Sequence, residues 1–252
     1  MSHGRFFYPV FIIRGSSLLT ASSVSADEGG TVSATKLIIA HHDSVADDTK
    51  QPFVIQFPDN YSPEKSYPLL VYLAQQLPKL DSTGPFRKPY FKIHVGVHGI
   101  LTFPGLADAD IAAAIATMKR DYAIDDNRIF LSGYSAGGSA VMTIAARHPD
   151  QFAGVIPLAA FGNNAFLDSL YNLPVFCHHG QHDWTSAIDN VRVYFQQLRA
   201  MGATALLKEY PDRGHSVGPP ENLHDWLMAQ RRVERPQRVL HRCDTPAQGK
   251  AY

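Results

Sequence analysis

Tyr67-Pro68-Leu69-Leu70-Val71-Tyr72-Leu73 is an unbroken apolar run. A half-exposed strand would alternate apolar and polar residues, so a run without alternation predicts a strand buried on both faces, at the centre of a parallel sheet. Lys36 to Ala40 and Pro52 to Phe57 read as two earlier strands, paired antiparallel, the second closed by the turn residues Pro58, Asp59 and Asn60. A polar stretch from Gln75 to Pro89 leads to a strand at Phe91 to Val97. A helix follows over Asp108 to Tyr122, where Ile111, Ile115 and Met118 recur at helical spacing. The pattern then predicts a strand at Arg128 to Ser132, a helix at Ala136 to Arg147, and strands at Ala153 to Leu158 and Pro174 to His178. It closes with a helix at Ser186 to Met201, a strand at Ala205 to Tyr210 and a helix at Glu221 to Arg231. Val233 to Tyr252 carries no periodicity and reads as a loose tail.

Strands alternating with helices at this spacing predict an α/β fold, a mainly parallel sheet with helices on both faces. In such a sheet functional groups lie beyond the C-terminal ends of the strands, and three segments there carry chemistry. In Gly133-Tyr134-Ser135-Ala136-Gly137, a strand before and a helix after the pentapeptide match a sharp turn that stands the serine clear, flanked by glycines that allow close approach. A serine hydroxyl needs an imidazole to take its proton, and the imidazole needs a carboxylate to fix its tautomer. Asp183 follows one strand in His179-Gly180-Gln181-His182-Asp183, and His215 follows the next in Asp212-Arg213-Gly214-His215-Ser216. The backbone N–H of Ala136 is the first oxyanion donor.

Other residues compete for these roles. An Asp before a helix is often only a cap, although Thr185 or Ser186 could cap here. Asp150, Asp168, Asp189 and Asp212 are rival acids, and His182 and His224 rival bases, in less suitable positions. His178, His179, His182 and Asp183 include metal-ligand types but lack a helical H-x-x-x-H spacing, and consecutive strand residues point to opposite faces. His41-His42-Asp43 reads as an exposed turn. His98-Gly99 reads as a turn or a pocket contact. The glycines of 133–138 lack both the lysine of a phosphate loop and the spacing of a dinucleotide fingerprint.

With these segments in order, the chain resembles the esterase and predicted-peptidase branch of the α/β-hydrolases, which includes feruloyl esterases and polyhydroxybutyrate depolymerases. The similarity runs over roughly Pro52 to Arg231. It is carried by Ile124 to Gly138, by His179 to Asp183, and by Tyr210 to Ser216 with Trp226-Leu227. The resemblance implies hydrolysis of carboxylic esters, small or polymer-linked, without metal or organic cofactor, commonly in exported proteins. One segment departs from it. Relatives usually carry His-Gly and a further Gly-containing pair after the central strand, where a backbone N–H is the second oxyanion donor. This chain has Leu73-Ala74-Gln75-Gln76-Leu77, so Gln75 or Gln76 must supply that donor. Losing one donor costs about 10²–10³ in turnover, which leaves a weak or inactive binding protein of the same fold as an alternative; a serine peptidase is a further one, weaker because amide leaving groups demand good oxyanion stabilisation and proton delivery.

Composition narrows the partners. The 252 residues suit one domain with a sizeable core. Lys plus Arg and Asp plus Glu balance at 23 each, so there is no net field to attract nucleic acid or an anionic membrane. Residues 1–26 carry Arg5, an apolar run from Phe6 to Leu19 and Ser23-Val24-Ser25-Ala26, which resembles an export signal cleaved before Asp27. Pro9 and Arg14 interrupt that run, which excludes a membrane span there. The hydrolase domain is then expected over 27–232. Two cysteines are too few for a disulfide scaffold; Cys177 reads as a buried thiol, with a bridge to Cys243 as the other option.

Overall fold

A computed structural model of the chain describes residues 37–44, 48–74, 77–78, 87–96, 106–218 and 220–242. The expected export signal, Gln75, Gln76, His98, Gly99 and Cys243 lie outside the described residues. Strand β3 (Tyr67–Ala74) is buried along almost its whole length, as its unbroken apolar run requires. Parallel to it lie β4 (Phe91–Gly96) on one side and β5 (Ile124–Tyr134) on the other. The sheet continues in parallel through β6 (Gly154–Leu158), β7 (Val175–Gly180) and β8 (Ala205–Tyr210). At the opposite edge β1 (Leu37–Asp43) and β2 (Lys50–Gln56) add antiparallel pairings, giving the order β1-β2-β4-β3-β5-β6-β7-β8.

Three helices pack on one face: α1 (Leu106–Asp121), α2 (Ala136–Arg147) and α3 (Ile188–Ala200). Ile111 and Met118 of α1, Val141 and Ala145 of α2, and Val191 and Phe195 of α3 are buried with Val71, Ile93, Leu131 and Val155 of the sheet in one cluster. The other face carries α4 (Leu223–Ala229), whose Trp226 and Leu227 pack with Leu70, Phe130, Ile156 and Phe176. The alternation of side chains along each strand thus feeds two separate apolar layers. Among the described residues no helix is long and apolar enough to cross a membrane.

Several predicted boundaries move. β5 begins four residues before Arg128, because Ile124 pairs with Tyr67 through an irregularity in the register. Polar Asp125, Asp126 and Asn127 hide that extension from a search for apolar runs. His41, His42 and Asp43 form the end of β1 rather than an exposed turn. His42 pairs with Gln51 and is 2% exposed, its ring 6.2 Å from Phe53, while Asp43 meets Lys50 at 2.7 Å. A 3-10 turn at Asn164–Leu170, with no apolar periodicity to announce it, follows β6 and buries Leu167 and Leu170. The described part of the tail has no regular element but is tethered, Arg238 O and Arg242 N accepting from and donating to Asn172 and Ser169 respectively.

Two histidines of the sheet are held neutral by burial. His94 Nε2 lies 2.9 Å from Gln56 Oε1, and burial with the nearby Lys92 charge pulls its pKa down to about 3. His178, fully buried, lies 4.2 Å from the Phe176 ring and 3.0 Å from the Tyr210 hydroxyl, and burial takes it to about 4. Below pH ~6.5 the unfolded chain takes up protons that the folded chain refuses, so stability falls on acidification through that range and is level above it. From pH 7 to pH 5 each histidine is expected to remove roughly 2 kcal/mol of unfolding free energy. Urea unfolding at both pH values, for the wild type, His94→Gln and His178→Asn, checks this: each variant should shrink the fall by about half of the pair's share.

Candidate active site

β5 ends at Tyr134 and α2 starts at Ala136, so Ser135 alone makes the turn between strand and helix. Its backbone sits at φ 54°, ψ −121°, a region an L residue enters only at a cost. The surroundings require that turn. A Cβ on Gly133 would lie 2.4 Å from the Gly137 carbonyl oxygen, and one on Gly137 would lie 2.9 Å from the carbonyl of Leu73. Strand and helix therefore approach to a distance that only glycine permits. Ser135 N–H donates to Leu158 O at 2.8 Å, and Ser139 N–H donates back to Ser135 O at 3.0 Å. Ala136 opens the helix, where the first N–H groups have no acceptor within the helix and the dipole is positive.

The acid and imidazole come from the loops after β7 and β8, which are fastened to each other. Gln181 N–H donates to Tyr210 O at 2.9 Å and His182 N–H to Arg213 O at 3.0 Å. A Cβ on Gly180 would lie 2.1 Å from Gly214 O. The Arg213 guanidinium stacks 4.3 Å above the Tyr210 ring and donates to Val217 O, closing the loop that carries His215. Tyr134, the residue before Ser135, donates its hydroxyl to His215 O at 3.1 Å, with ring centroids 5.1 Å apart.

These supports bring Ser135, His215 and Asp183 into one line. His215 Nε2 is 2.8 Å from Ser135 Oγ, and His215 Nδ1 is 2.8 Å from Asp183 Oδ2. The other carboxylate oxygen, Oδ1, accepts from Thr185 N–H and Ser186 N–H, both at 2.9 Å. Asp183 therefore does cap-like work in its loop with one oxygen and holds the imidazole with the other. Its burial opposes ionisation, but the hydrogen bonds from His215, Ser186 and Thr185 outweigh it and hold the carboxyl below its usual range. An ionised carboxylate only accepts, so His215 carries its proton on Nδ1 and presents a bare Nε2 to the serine hydroxyl. The arrangement can move a proton from Ser135 to His215 and stabilise the resulting imidazolium.

The rival residues stand elsewhere. Asp189 is paired with Arg192, Asp168 with Arg242, and Asp212 is exposed. Asp150 lies at the end of α2, where its carbonyl accepts from Arg232. His182 is exposed, and His224 lies beside Tyr90 with ring centroids 6.1 Å apart. His178 and His179 face opposite sides of β7, toward Tyr210 and Ser186 O. Cys177 is a buried free thiol, its pKa pushed up by burial. Two neighbours of the site escape a search of the sequence for catalytic types: Tyr134, whose only signal is its place inside the pentapeptide, and His179, whose signal is its place at the end of β7 and whose Nε2 lies 3.2 Å from Asp183 Oδ2.

The same part of the chain is matched by known proteins. Residues 99–230 match the model of the dienelactone hydrolase family. A protein of Arabidopsis thaliana named "Probable carboxylesterase SOBER1-like" is 27% identical over 112 residues, covering 41% of this chain and 43% of that protein. Poly(3-hydroxyalkanoate) depolymerase C of Paucimonas lemoignei is 39% identical over 49 residues, covering 19% of this chain and 12% of the depolymerase. The match thus spans less than half of either relative. Among solved structures, a thermostable esterase superposes with a TM-score of 0.62 at 19% identity, over 78% of this chain and 63% of its own. Dipeptidyl peptidase 4 of Porphyromonas gingivalis superposes with a TM-score of 0.63 at 15% identity, over 78% of this chain and 36% of its own. At such identities the structural likeness shows the α/β-hydrolase fold alone.

The Gly180–Gly214 contact makes a specific prediction. Gly180→Ala places a methyl group against two carbonyl oxygens, so it should lower stability by about 1–3 kcal/mol and push the loops of Asp183 and His215 apart. Denaturant unfolding and labelling of Ser135 by a fluorophosphonate should both fall in this variant.

Proposed function

The chain belongs to the dienelactone hydrolase family, and from that premise we propose that it is a serine hydrolase that cleaves carboxylic esters through an acyl-enzyme. The observation that carries this reading is the 2.8 Å approach of His215 Nε2 to Ser135 Oγ on a strained turn, with Asp183 behind the imidazole at 2.8 Å. As Ser135 Oγ attacks the ester carbonyl, its proton passes to His215 Nε2. Asp183 stabilises the imidazolium, and His215 then delivers the proton to the leaving alkoxide. Water repeats the sequence on the acyl-serine, with His215 first as base and then as acid. The negative charge on the former carbonyl oxygen develops beside the Ala136 N–H at the start of α2, where a helix terminus favours it. The second donor falls to Gln75 or Gln76, outside the described residues.

Ester cleavage is preferred to amide cleavage because an ester's alkoxide leaves more readily. An amine must be protonated as it departs, which places greater demand on proton delivery and on the oxyanion donors. The fold is shared with esterases and peptidases alike, so the substrate panel decides between them. Short nitrophenyl esters should turn over and peptide nitroanilides should not. Ser135→Ala should reduce ester turnover by about 10⁴–10⁶-fold and abolish fluorophosphonate labelling, and Asp183→Asn should reduce it by about 10⁴-fold with the fold intact. Equal turnover and labelling in the wild type and Ser135→Ala would overturn the assignment.

A further inference from the structure

Asp183 Oδ2, which holds His215, has a second imidazole beside it. His179 Nε2 lies 3.2 Å from the same oxygen and 2.7 Å from the carbonyl oxygen of Ser186. A carbonyl only accepts, so the proton of His179 resides on Nε2 and is donated to Ser186 O, with Asp183 Oδ2 lying beside the same nitrogen. The His179 side chain is fully buried, and its Nδ1 is shielded with no hydrogen-bond partner among the described residues. An N–H at that position would be an unpaired buried donor, so the neutral ring with a bare Nδ1 is the favoured form.

Several charged and titratable groups act on this ring. Burial opposes its protonation and dominates; Asp183 and, across the β7–β8 pair, Glu209 favour protonation, while His215 opposes it. Glu209 is itself engaged by Arg192 and by Gln181. The balance leaves His179 a neutral donor aimed at Ser186 O, with Asp183 Oδ2 alongside.

With this contact, both oxygens of the carboxylate are enclosed. Oδ1 takes Thr185 N–H and Ser186 N–H, and Oδ2 takes His215 Nδ1–H with His179 Nε2 packed 3.2 Å away. We infer that His179 is a positioning residue for Asp183. Its buried ring, with Nε2 3.2 Å from Oδ2, covers that oxygen, which restricts rotation about the carboxylate's Cβ–Cγ bond and keeps water from the oxygen that orients His215. Through Ser186 O the His179 N–H braces the loop that supplies the two donors to Oδ1. The inference rests on the reading of Ser135, His215 and Asp183 as the hydrolytic machinery, and it adds a fourth side chain that touches neither substrate nor serine.

His179→Leu keeps an apolar side chain of comparable bulk without the donor, and His179→Gln places an amide N–H near the position of Nε2. His179→Leu should lower kcat roughly tenfold while leaving KM nearly unchanged, and His179→Gln should recover most of the loss. A readout independent of turnover is the low-field proton NMR line of the His215 Nδ1–H bonded to Asp183. It should move upfield and broaden in His179→Leu as that bond lengthens and admits water, and return in His179→Gln. Thermal unfolding of both variants identifies a general loss of fold. An unchanged NMR line in His179→Leu, or a kcat that His179→Gln does not restore, would overturn the positioning role. Absence of Ser135-dependent turnover in the wild type would overturn the hydrolase reading instead, while the NMR line would still report on His179.

Discussion

The backbone of Ser135 is the constraint on which the site depends. A residue other than glycine at φ 54° costs on the order of 1–3 kcal/mol, and it persists only because the surroundings leave no alternative. A Cβ on Gly133 would run into Gly137 O and one on Gly137 into Leu73 O, so neither is tolerated, and the Ser135 N–H is committed to Leu158 O. The strain is stored between two rigid elements, the buried end of β5 and the first turn of α2. The hydroxyl therefore stands at one place above the sheet, ordered before any substrate arrives. Preorganisation of this kind lowers the entropy cost of reaction.

Asp183 shows why two readings of one residue need not compete. An aspartate just before a helix can cap backbone N–H groups, and an aspartate beyond a strand can hold a histidine; this one does both, with different oxygens. The first task serves the second. Bonds from Thr185 and Ser186 fix the plane of the carboxylate, so Oδ2 is presented to His215 without the freedom that a surface aspartate keeps. They also draw charge into the loop, helping a buried group to remain ionised against the cost of desolvation.

Much of this could be read from residue order, and the limits have physical causes. α2 and β8 occupy the spans their patterns predict, because the apolar helical stripe and the strand that opens on Ala205-Leu206-Leu207 each end at sharp punctuation: Ser135 and Pro149 for one, Pro211 for the other. The meeting of Ser135, Asp183 and His215 was legible because each lies just past the C-terminal end of a strand of one parallel sheet. The polar start of β5 and the His41-His42-Asp43 end of β1 were not, since strand pairing there comes from backbone partners that hydropathy does not encode. Tyr134 and His179 were missed for a related reason. They are marked by contacts with His215 O and Asp183 Oδ2, made across 81 residues of chain in one case and within the turn that leaves β7, four residues on, in the other. Residue type alone does not distinguish such a tyrosine or histidine from one in the core.

What carries the site from one strand to the next is the hydrogen-bond ladder, extended just past the strand ends. Ser135 N–H reaches Leu158 O of β6, Ala159 N–H reaches His178 O of β7, and Gln181 N–H reaches Tyr210 O of β8. Each chain leaving the sheet is thus gripped by its neighbour at the point where it turns, and Ala159, like Ser135, turns there at positive φ. Side chains borne just after these bonds inherit the spacing of the strands, which fixes neighbours about 4.8 Å apart. A serine, an acid and a histidine drawn from three loops can then meet at 2.8 Å without any one loop being long or intrinsically rigid. The precision belongs to the sheet, and the loops need only be short enough not to lose it.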